Sequence, residues 1–379
     1  MRRAVYVNKR YALCLGLVWV LARAQAAELY VSIHGSDSNP GTSARPVRTI
    51  TRGYSLAAAG TTIHVLPGVY SDYTSGWGIH LDNSGTAVSP IVLKSQTRGG
   101  AVIEGRNASD RNQGFYIDGN YNVVDGFEIR NCPHGGVTIY GNGNHIINNR
   151  IHHNGNPASI STDGRDGVYS NKGTTDNYYA GNSVYDNGRR GSNLDHGFYL
   201  CGKNEMVLNN LLFRNAACGL QIAGYTTVSN MKVYNNVMAW NGTSGIILWM
   251  ALKGIEIKNN ILYHNGHWGL GSYDAHGGGV AVDHNLGFGN AQGAYNFHGG
   301  GSDYSYTLGT TLSAEPHFVH ASAGDFDAHL TPESPAIQAG LNLHAFFATG
   351  LDGQSRPATG PWDLGAYSCR GSNALPMRH

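Results

Sequence analysis

Two stretches of the chain carry an acid or base, a phenol and a cation at matched positions around a glycine. The first runs from Asp166 to Lys172 and the second from His196 to Lys203. If the two stretches lie side by side, about 4.8 Å apart as paired strands do, these groups meet over one patch of surface. The matched side chains are Asp166 and His196 before the glycine, Tyr169 and Tyr199 two residues after it, and Lys172 and Lys203 further on.

Such a set of side chains suits β-elimination from a uronic-acid polymer such as alginate or pectate. A base removes the proton beside the sugar carboxyl group, a cation stabilises the charge that develops, and an acid protonates the leaving oxygen. We predict Lys172, His196, Tyr199 and Asp166 as the catalytic residues, with Lys172 a base if Arg165 or burial favours its neutral form. The predicted substrate-binding residues are Arg165, Tyr169, Arg189, Arg190, Lys203, Gln221 and Trp249.

Other interpretations of the same residues remain open. Asp163, Asp166 and Asp195 could hold Ca²⁺, a hard ion that takes oxygen ligands, and Ca²⁺ is the one cofactor that the residues suggest. The same three carboxyl groups could instead be the acid and base of a glycoside hydrolase. A uronate epimerase, or a protein that binds polysaccharide without cleaving it, would also use outward tyrosines to stack on sugar rings.

Pairs of asparagines, five residues apart within each pair, predict the scaffold that positions these side chains. Repeats of 20–50 residues are typical of solenoids, in which each unit buries its apolar face against its neighbours. Side-chain amides stacked coil on coil can donate and accept along a continuous ladder. The six pairs begin at Asn149, Asn182, Asn210, Asn236, Asn260 and Asn285, which are 33, 28, 26, 24 and 25 residues apart.

Each repeat also contains a short strand that opens with glycine, and alternation along the strand fixes which side chains face the core. Successive coils must pair in parallel, so the sequence predicts an all-β fold, a right-handed parallel β-helix. The predicted inward residues are Phe115, Val137, Val168, Phe198, Leu220, Ile246 and Leu270. The predicted outward column is Tyr116, Thr138, Tyr169, Tyr199, Gln221, Ile247 and Gly271.

Two repeats are longer than the rest. Their extra residues lie in Asn154–Asp166 and Asn187–His196, directly before the strands that carry the candidate site. Insertions in a solenoid concentrate on the face that binds, and long loops on a rigid scaffold carry function. The two insertions therefore place the candidate site on the outward column.

The two ends of the chain break the repeat. Residues of about 27–70 predict an N-terminal cap and the first coils, with a helix from Thr49 to Ala59 that ends at Gly60. Residues of about 314–379 predict an irregular C-terminal cap. We interpret residues 27–379 as a single β-helix domain.

The first 26 residues have the form of a secretory signal peptide. Four basic residues precede the apolar run Tyr11–Leu21, and small residues follow at Ala22–Ala26. We therefore expect a bacterial secreted or periplasmic protein, monomeric and free of the membrane once the signal is removed.

Removal of the signal takes five of the 26 basic residues and none of the 25 acidic ones, which leaves 21 basic against 25 acidic side chains. That balance argues against nucleic acid as a partner and leaves an acidic polysaccharide as the expected one. In an oxidising compartment Cys132, Cys201, Cys218 and Cys369 could form up to two disulfides, whose pairing the sequence leaves open.

Four short motifs lie near the ends of the mature chain: Gly35–Thr42, Pro67–Tyr70, Ser334–Ile337 and Asp363–Tyr367. Through them the chain resembles the secreted right-handed parallel β-helix proteins of the pectate-lyase-like superfamily over nearly its whole mature length. The resemblance implies this fold and a polysaccharide-lyase activity.

The resemblance also implies a lysine base. Lyases of this kind place the lysine just after a strand of the main sheet, and Lys172 stands at or beside the matching place. Similar alginate lyases pair that lysine with an arginine on the next coil, which would fall near Cys201, where this chain has none. The departure moves the expected partner to His196, Tyr199 and the loop arginines.

Overall fold

A computed structural model describes residues 27–73, 76–156, 158 and 163–369 of the chain. The predicted signal peptide, residues 1–26, lies outside the described residues. Within the described part, no helix has the length and apolar character needed to cross a membrane.

Three parallel sheets run along the molecule, and the one that carries the candidate residues is called the cleft sheet. The cleft sheet contains Ile79–Leu81, Gln113–Ile117, Gly135–Ile139, Val168–Ser170, Phe198–Leu200, Leu220–Ser229, Ile246–Lys253, Trp268–Gly278 and Gly293–Asn296. The second sheet contains Glu28–Val31, Thr62–Val65, Ile91–Ser95, Asn122–Asp125, His145–Ile147, Tyr178–Ala180, Met206–Leu208, Lys232–Tyr234, Glu256–Lys258, Val280–Asp283 and Tyr306–Leu308. The third sheet contains Gly68–Tyr70, Ala101–Glu104, Glu128–Arg130, Arg150–His152, Ser183–Tyr185, Leu211–Phe213, Val237–Ala239, Ile261–Tyr263, Asn285–Phe288 and Thr311–Leu312.

The chain visits the three sheets in turn, and each strand pairs in parallel with the equivalent strand of the next coil. Phe198–Leu200, for example, pairs with the strand that begins at Leu220. The parallel β-solenoid predicted from the repeats is confirmed.

The register within the cleft sheet agrees with the predicted alternation. Phe115, Phe198 and the other predicted inward residues are almost completely buried in one continuous apolar core. Burial of these side chains is the main favourable term for such a stack of coils. The predicted outward residues pair successively across the sheet, in the order Tyr116, Thr138, Tyr169, Tyr199, Gln221, Ile247 and Gly271.

The repeated asparagines form two buried ladders, as predicted. In the first ladder, the Asn210 side-chain nitrogen donates to Oδ1 of Asn236 at 3.0 Å and to the backbone oxygen of Tyr179 at 2.9 Å. The backbone N–H of Asn210 also donates to Oδ1 of Asn236, at 2.8 Å. Each buried amide therefore has partners above and below, which removes the cost of burying it. The first ladder runs through Asn149, Asn182, Asn210, Asn236, Asn260 and Asn285, and the second through Asn154, Asn187, Asn215, Asn241, Asn265 and Asn290.

The helix near the N-terminus is shorter than predicted and spans Ile50–Ser55. Thr49 caps it by accepting a hydrogen bond from the backbone N–H of Arg52 at 3.1 Å. The N–H of Leu56 then bonds to the oxygen of Gly53, three residues back, which closes the last turn. The prediction of a helix as far as Ala59 was therefore wrong.

The C-terminal segment packs along the flank of the solenoid. It contains the antiparallel strands Phe318–Ser322 and Asp325–Leu330, followed by irregular chain. Side-chain amides from successive coils hold it: Asn209 donates to the oxygen of Thr349 at 2.7 Å, and Asn235 to that of Asp363 at 2.9 Å. All four described cysteines are free thiols, so the disulfides that we considered are not formed in this structure.

Candidate active site

A cleft of about 530 Å³ lies on the outward face of the cleft sheet. The sheet forms its floor, and the two long loops predicted from the repeat spacing contribute to its walls. The cleft is lined by Trp77, Gln113, Tyr116, His134, Gly135, Thr138, Tyr140, Asp163, Gly164, Asp166, Tyr169, Asn193, Leu194, His196, Tyr199, Gln221 and Trp249.

The structure brings together three of the four predicted catalytic residues, Asp166, His196 and Tyr199. Tyr169 and Tyr199 are direct cross-strand neighbours, and their rings stack with centroids 5.7 Å apart. Gln221 follows them on the next strand, and Trp249 completes that end of the cleft. The phenols of Tyr169 and Tyr199 and the indole of Trp249 therefore face the same cleft as the carboxyl group and the imidazole.

Asp166 is buried at the cleft floor, and its Oδ1 accepts the backbone N–H of His196 at 2.7 Å. Burial raises the pKa of Asp166 well above its usual range, and this effect exceeds the opposite one of the His196 hydrogen bond. The nearby charge of Asp195 also raises the pKa, because two negative charges repel each other. Asp166 therefore keeps its proton to a higher pH than an ordinary aspartate does.

His196 is also buried, and its ring has a fixed tautomer. The backbone N–H of Cys218 donates to Nδ1 at 3.2 Å, so the proton of the neutral ring is on Nε2. Burial lowers the pKa of His196 to about 3, against the opposing effect of Asp195. The ring stacks on Tyr199 with centroids 5.5 Å apart. His196 is therefore a neutral hydrogen-bond donor at neutral pH, which disfavours the role of general base that the sequence offered as one possibility.

The loop arginines bind carboxylates of the protein itself. Arg189 forms a bidentate pair with Asp195, with Nε to Oδ2 at 2.8 Å and Nη2 to Oδ1 at 2.7 Å. Arg165 is buried, and its Nη2 lies 3.2 Å from Oδ2 of Asp110. Neither arginine lines the cleft in the structure. In the structure these two predicted substrate-binding residues hold the long loops in place. A charged side chain that is shielded from water is stable only when an opposite charge pairs with it.

Asp195 is the carboxylate that joins the two loops. It is fully buried and accepts the backbone N–H groups of Arg165 at 3.1 Å and of Arg189 at 2.7 Å in addition to the guanidinium. Burial by itself raises the pKa of Asp195, but the hydrogen bonds from Arg189 outweigh it, so that the pKa lies below its usual value.

The structure does not bring the predicted lysines or Arg190 into the cleft. Lys172, Lys203 and Arg190 are exposed and are absent from its lining. The strand before Lys172 ends at Ser170, and a turn follows in which Gly173 has φ of +90°. The backbone of Lys203 bridges to Thr175 on the preceding coil and to Ser229, the last residue of the strand Leu220–Ser229, on the next. Both lysines thus lie around the corner of the solenoid, beyond the floor of the cleft.

The three carboxyl groups suggested for Ca²⁺ do not fit that ion. Asp195 already accepts N–H groups at both oxygens, and Asp166 is buried with a raised pKa. Among the described residues, no three acidic, histidine or cysteine side chains are grouped so that they could share a metal ion.

An aromatic wall at the other end of the cleft was missed from sequence. Tyr116 lies between Trp77 and Tyr140, with ring centroids 5.4 and 5.3 Å apart and ring planes tilted by 37° and 38°. Tyr116 was on the predicted outward column, but Trp77 and Tyr140 lie neither on that column nor in the two insertions. Exposed aromatic rings in a row are typical of surfaces that stack on sugar rings.

His134 was missed for the same reason. It lines the cleft near Asp163 and Asp166. Burial lowers the pKa of His134 to about 4, and the charge of Arg165 adds to this effect. Like His196, it is neutral at neutral pH.

Comparison with known proteins gives a consistent picture. The sequence matches the family described as Pel9A-like, right handed beta helix region, over residues 29–282. It is 36% identical over 92 residues to pectate lyase PEL9 of Emericella nidulans, over 23% of this chain and 22% of the relative. It is 26% identical over 267 residues to pectate lyase L of Paenibacillus polymyxa, over 67% of this chain and 53% of the relative. The chain thus spans about half or less of the length of these two relatives.

One solved structure shows how far the fold is shared. The crystal structure of pectate lyase Pel9A superposes with a TM-score of 0.65 and 19% sequence identity, over 91% of this chain and 96% of that one.

Proposed function

The chain belongs to the Pel9A-like right-handed β-helix family, and on that basis we propose that it is a polysaccharide lyase that cleaves a uronic-acid polymer in the cleft. The reaction is a β-elimination. A base takes the proton from the carbon next to the carboxyl group, the bond from the adjacent carbon to the glycosidic oxygen breaks, and a double bond forms between the two carbons. The leaving oxygen takes up a proton, so the reaction needs no other reactant.

The observation that carries the proposal is the pairing of Asp166 with His196. Burial favours the neutral form of each, both line the cleft, and the backbone N–H of His196 donates to Asp166 at 2.7 Å. Proton removal beside a carboxyl group places negative charge on its oxygen. A protonated acid and a neutral imidazole N–H are donors that stabilise such an enolate, as known enzymes illustrate.

We assign the proton transfers to the stacked tyrosines. Tyr199 contacts His196 and Tyr169 through its ring, and both phenols face the cleft. A phenol can act as a base when ionised and as an acid when protonated. One or both tyrosines therefore remove the proton from the sugar carbon and donate a proton to the leaving oxygen. The hydroxyl of Tyr169 donates to Oδ1 of Asn171 at 3.0 Å, which orients it. We assign sugar stacking to the aromatic wall of Trp77, Tyr116 and Tyr140.

A second candidate function is glycoside hydrolysis. Asp163 and Asp166 line the same cleft in different environments, one exposed and one buried with a raised pKa. Two carboxyl groups in different environments are the pair that glycosidases use as acid and base. Asp195, the third carboxyl group considered from sequence, is bound by Arg189 and is not part of this alternative.

One experiment separates the two functions. Purified protein is incubated with pectate, alginate and other polyuronates, and both ultraviolet absorbance and new reducing ends are measured. A lyase produces an unsaturated sugar that absorbs, in step with the reducing ends. Reducing ends without absorbance would identify a hydrolase and contradict the proposal, and the absence of both on every polymer would also contradict it.

A further inference from the structure

The cleft extends along the axis of the solenoid. Its lining begins at Trp77, just before the strand Ile79–Leu81, and ends at Trp249 on the strand Ile246–Lys253. These two strands are six coils apart in the cleft sheet, which is about 29 Å at about 4.8 Å per coil. A polymer in the cleft therefore passes over successive coils, and its distant sugars contact other residues than the reacting sugar does.

The strands of the cleft sheet become longer at the Trp249 end. Those that carry the two stacked tyrosines, Val168–Ser170 and Phe198–Leu200, have three residues each. The next three have 10, 8 and 11 residues and are Leu220–Ser229, Ile246–Lys253 and Trp268–Gly278. The sheet therefore continues as a wider platform at this end of the cleft, and Trp249 lies on it.

Tyr273 lies on the same platform, one coil beyond Trp249. The two residues are direct partners in the strand register, and alternation from Gly271 places Tyr273 on the outward face. Tyr273 is 68% exposed, and among the large hydrophobic residues that the structure describes only Val88 is more exposed. Single exposed apolar residues are ordinary on a protein surface. Tyr273 differs from them because it continues the line of the cleft from Trp249.

A β-bulge directly follows Tyr273. The register shifts after Trp249 and Tyr273, so that Met250 pairs with Ala275. Asp274 is the extra residue, and its φ is +47°. Bulges are frequent beside binding sites, where they change the direction of a side chain. The bulge therefore gives Tyr273 a direction that a regular strand would not.

The surroundings of Tyr273 leave its ring open to a sugar. Gly271, two residues earlier on the same face, has no side chain. The charged groups beyond the bulge pair with one another: His276 lies 3.3 Å from Asp274 and 2.9 Å from Asp303. The contact that Tyr273 offers is therefore stacking on its ring, which suits the apolar face of a sugar.

We propose that Trp249 and Tyr273 form a distal subsite, at which a sugar of the polymer stacks on the ring of Tyr273. Tyr273 is three coils from Tyr199, which is about 14 Å at about 4.8 Å per coil. One sugar of an extended chain is about as long as one coil. The subsite therefore receives the third sugar from the reacting bond, and long chains gain a contact that short chains do not reach. This inference rests on the proposed lyase function and adds a preference for chain length to it.

The test uses two probes, the trisaccharide and the octasaccharide of galacturonate, and measures kcat and KM from the absorbance of the unsaturated product. The trisaccharide places at most two sugars on one side of the reacting bond, so it ends before Tyr273. Tyr273→Ala should raise KM for the octasaccharide about fivefold with kcat unchanged, because the lost contact is the same in ground state and transition state. Both constants for the trisaccharide should stay at the parent values. An unchanged KM for the octasaccharide, or an equal rise for both probes, would overturn the subsite and leave the lyase function intact.

Binding of the same probes, measured by calorimetry, distinguishes failure of the subsite from failure of the lyase function. It also supplies the comparison for the trisaccharide if the parent does not cleave it. If neither probe gives an unsaturated product but the octasaccharide binds Tyr273→Ala about fivefold more weakly than the parent, the subsite is supported and the lyase function fails. Equal Kd values for the octasaccharide in the two proteins, or no binding of it to the parent, would overturn the subsite.

Two further variants test the role of the ring itself. Tyr273→Phe keeps the ring without the hydroxyl and should keep the KM of the parent for the octasaccharide. Phe346 is 41% exposed on the C-terminal segment, away from the cleft, and Phe346→Ala should also leave that KM unchanged. A rise in Phe346→Ala as large as in Tyr273→Ala would contradict the position of the subsite, and a rise in Tyr273→Phe would contradict stacking as its contact.

Discussion

The backbone N–H of Cys218 donates a hydrogen bond to Nδ1 of His196 at 3.2 Å, across two adjacent coils of the cleft sheet. Because Nδ1 is thereby an acceptor, the neutral ring carries its proton on Nε2. The contact leaves Nε2 as the proton-bearing nitrogen, which is what the donor role that we propose for His196 requires and what its sequence position did not specify.

Replacement of His196 should separate this donor role from the structural one. Asparagine can still accept the Cys218 N–H through Oδ1 but lacks a group at the position of Nε2. His196→Asn should therefore lower kcat/KM by about 10²–10³, as loss of one enolate-stabilising donor does, with thermal stability close to that of the parent. His196→Ala should lose as much activity and, in addition, about 1–3 kcal/mol of stability, because the buried N–H then lacks an acceptor. Full activity in both variants would remove His196 from the site.

Substitution of Asp166 distinguishes a neutral acid from a carboxylate. If Asp166 acts while protonated, Asp166→Asn preserves a donor and an acceptor of the same shape and should retain activity within about tenfold, whereas Asp166→Ala should lose about 100-fold or more. Because the pKa of Asp166 is raised, the activity of the parent should fall as the pH rises through that pKa. This alkaline fall in the pH profile should be absent in Asp166→Asn. Complete inactivity of Asp166→Asn would favour the hydrolase alternative.

The pair of Arg189 and Asp195 should contribute to stability more than to substrate binding. Arg189→Ala removes the counter-charge of a fully buried carboxylate and should lower the free energy of unfolding by about 3–5 kcal/mol in chemical denaturation. Arg190→Ala, one residue further in the same loop and exposed, should change it by less than about 0.5 kcal/mol. Similar effects of the two substitutions would show that the pair is not structural.

Glu205 should make stability depend on pH. It is buried inside the solenoid, and burial raises its pKa to about 7 despite hydrogen bonds from Asn177, Tyr179, Ser170 and Thr174. The folded state then holds a proton that the unfolded chain releases near pH 4.5, so stability should fall as the pH rises from about 4.5 to 7 and level off above that.

Glu205→Gln cannot ionise and should lack this dependence. The free energy of unfolding of the variant minus that of the parent should be about 2 kcal/mol larger at pH 8 than at pH 5, measured by denaturation at both pH values. The exposed Glu333, changed to Gln, serves as the control and should show no comparable difference. If the free energies of unfolding of the parent and of Glu205→Gln changed with pH in the same way, Glu205 would not be the group that makes stability depend on pH.

Interruption of the asparagine ladder should destabilise the solenoid. Asn236→Ala removes the acceptor of both the backbone and side-chain N–H groups of Asn210, and the donor to the oxygen of Val207. With each orphaned buried group costing about 1–3 kcal/mol, a loss of at least about 3 kcal/mol is expected in denaturation experiments. Asn107→Ala, at an exposed turn position, should have little effect. A small loss at Asn236 would show that the neighbouring coils rearrange to satisfy these groups.

Much of the scaffold could be predicted from sequence because a solenoid repeats a local pattern. The asparagine spacing defined each coil, and alternation around Phe198 and Tyr199 defined the inward and outward faces. The observed strand register agrees with the predicted faces of both residues. The helix was predicted too long because its apolar spacing continues past Ser55, where a hydrogen bond three residues back closes the last turn.

The candidate site could be predicted only in part. The two insertions pointed to Asp166, His196 and Tyr199, which do share the cleft. Lys172 and Lys203 were predicted too close to the cleft. A turn of one or two residues after the strand is enough to carry a side chain around the corner of the solenoid. The arginines were assigned to substrate binding because an ion pair within a loop, such as Arg189 with Asp195, leaves no periodic signal in the sequence.

The sequence by itself determined the β-helix, the order of side chains on its outward column and the position of the two long loops, because these follow from periods of two residues and of one coil. Only the tertiary structure decided which side chains line the cleft, the tautomer of His196 and the raised pKa of Asp166. Those properties depend on burial and on contacts between loops and coils far apart in sequence, and the resulting loss of water and choice of partners set the chemistry of each group.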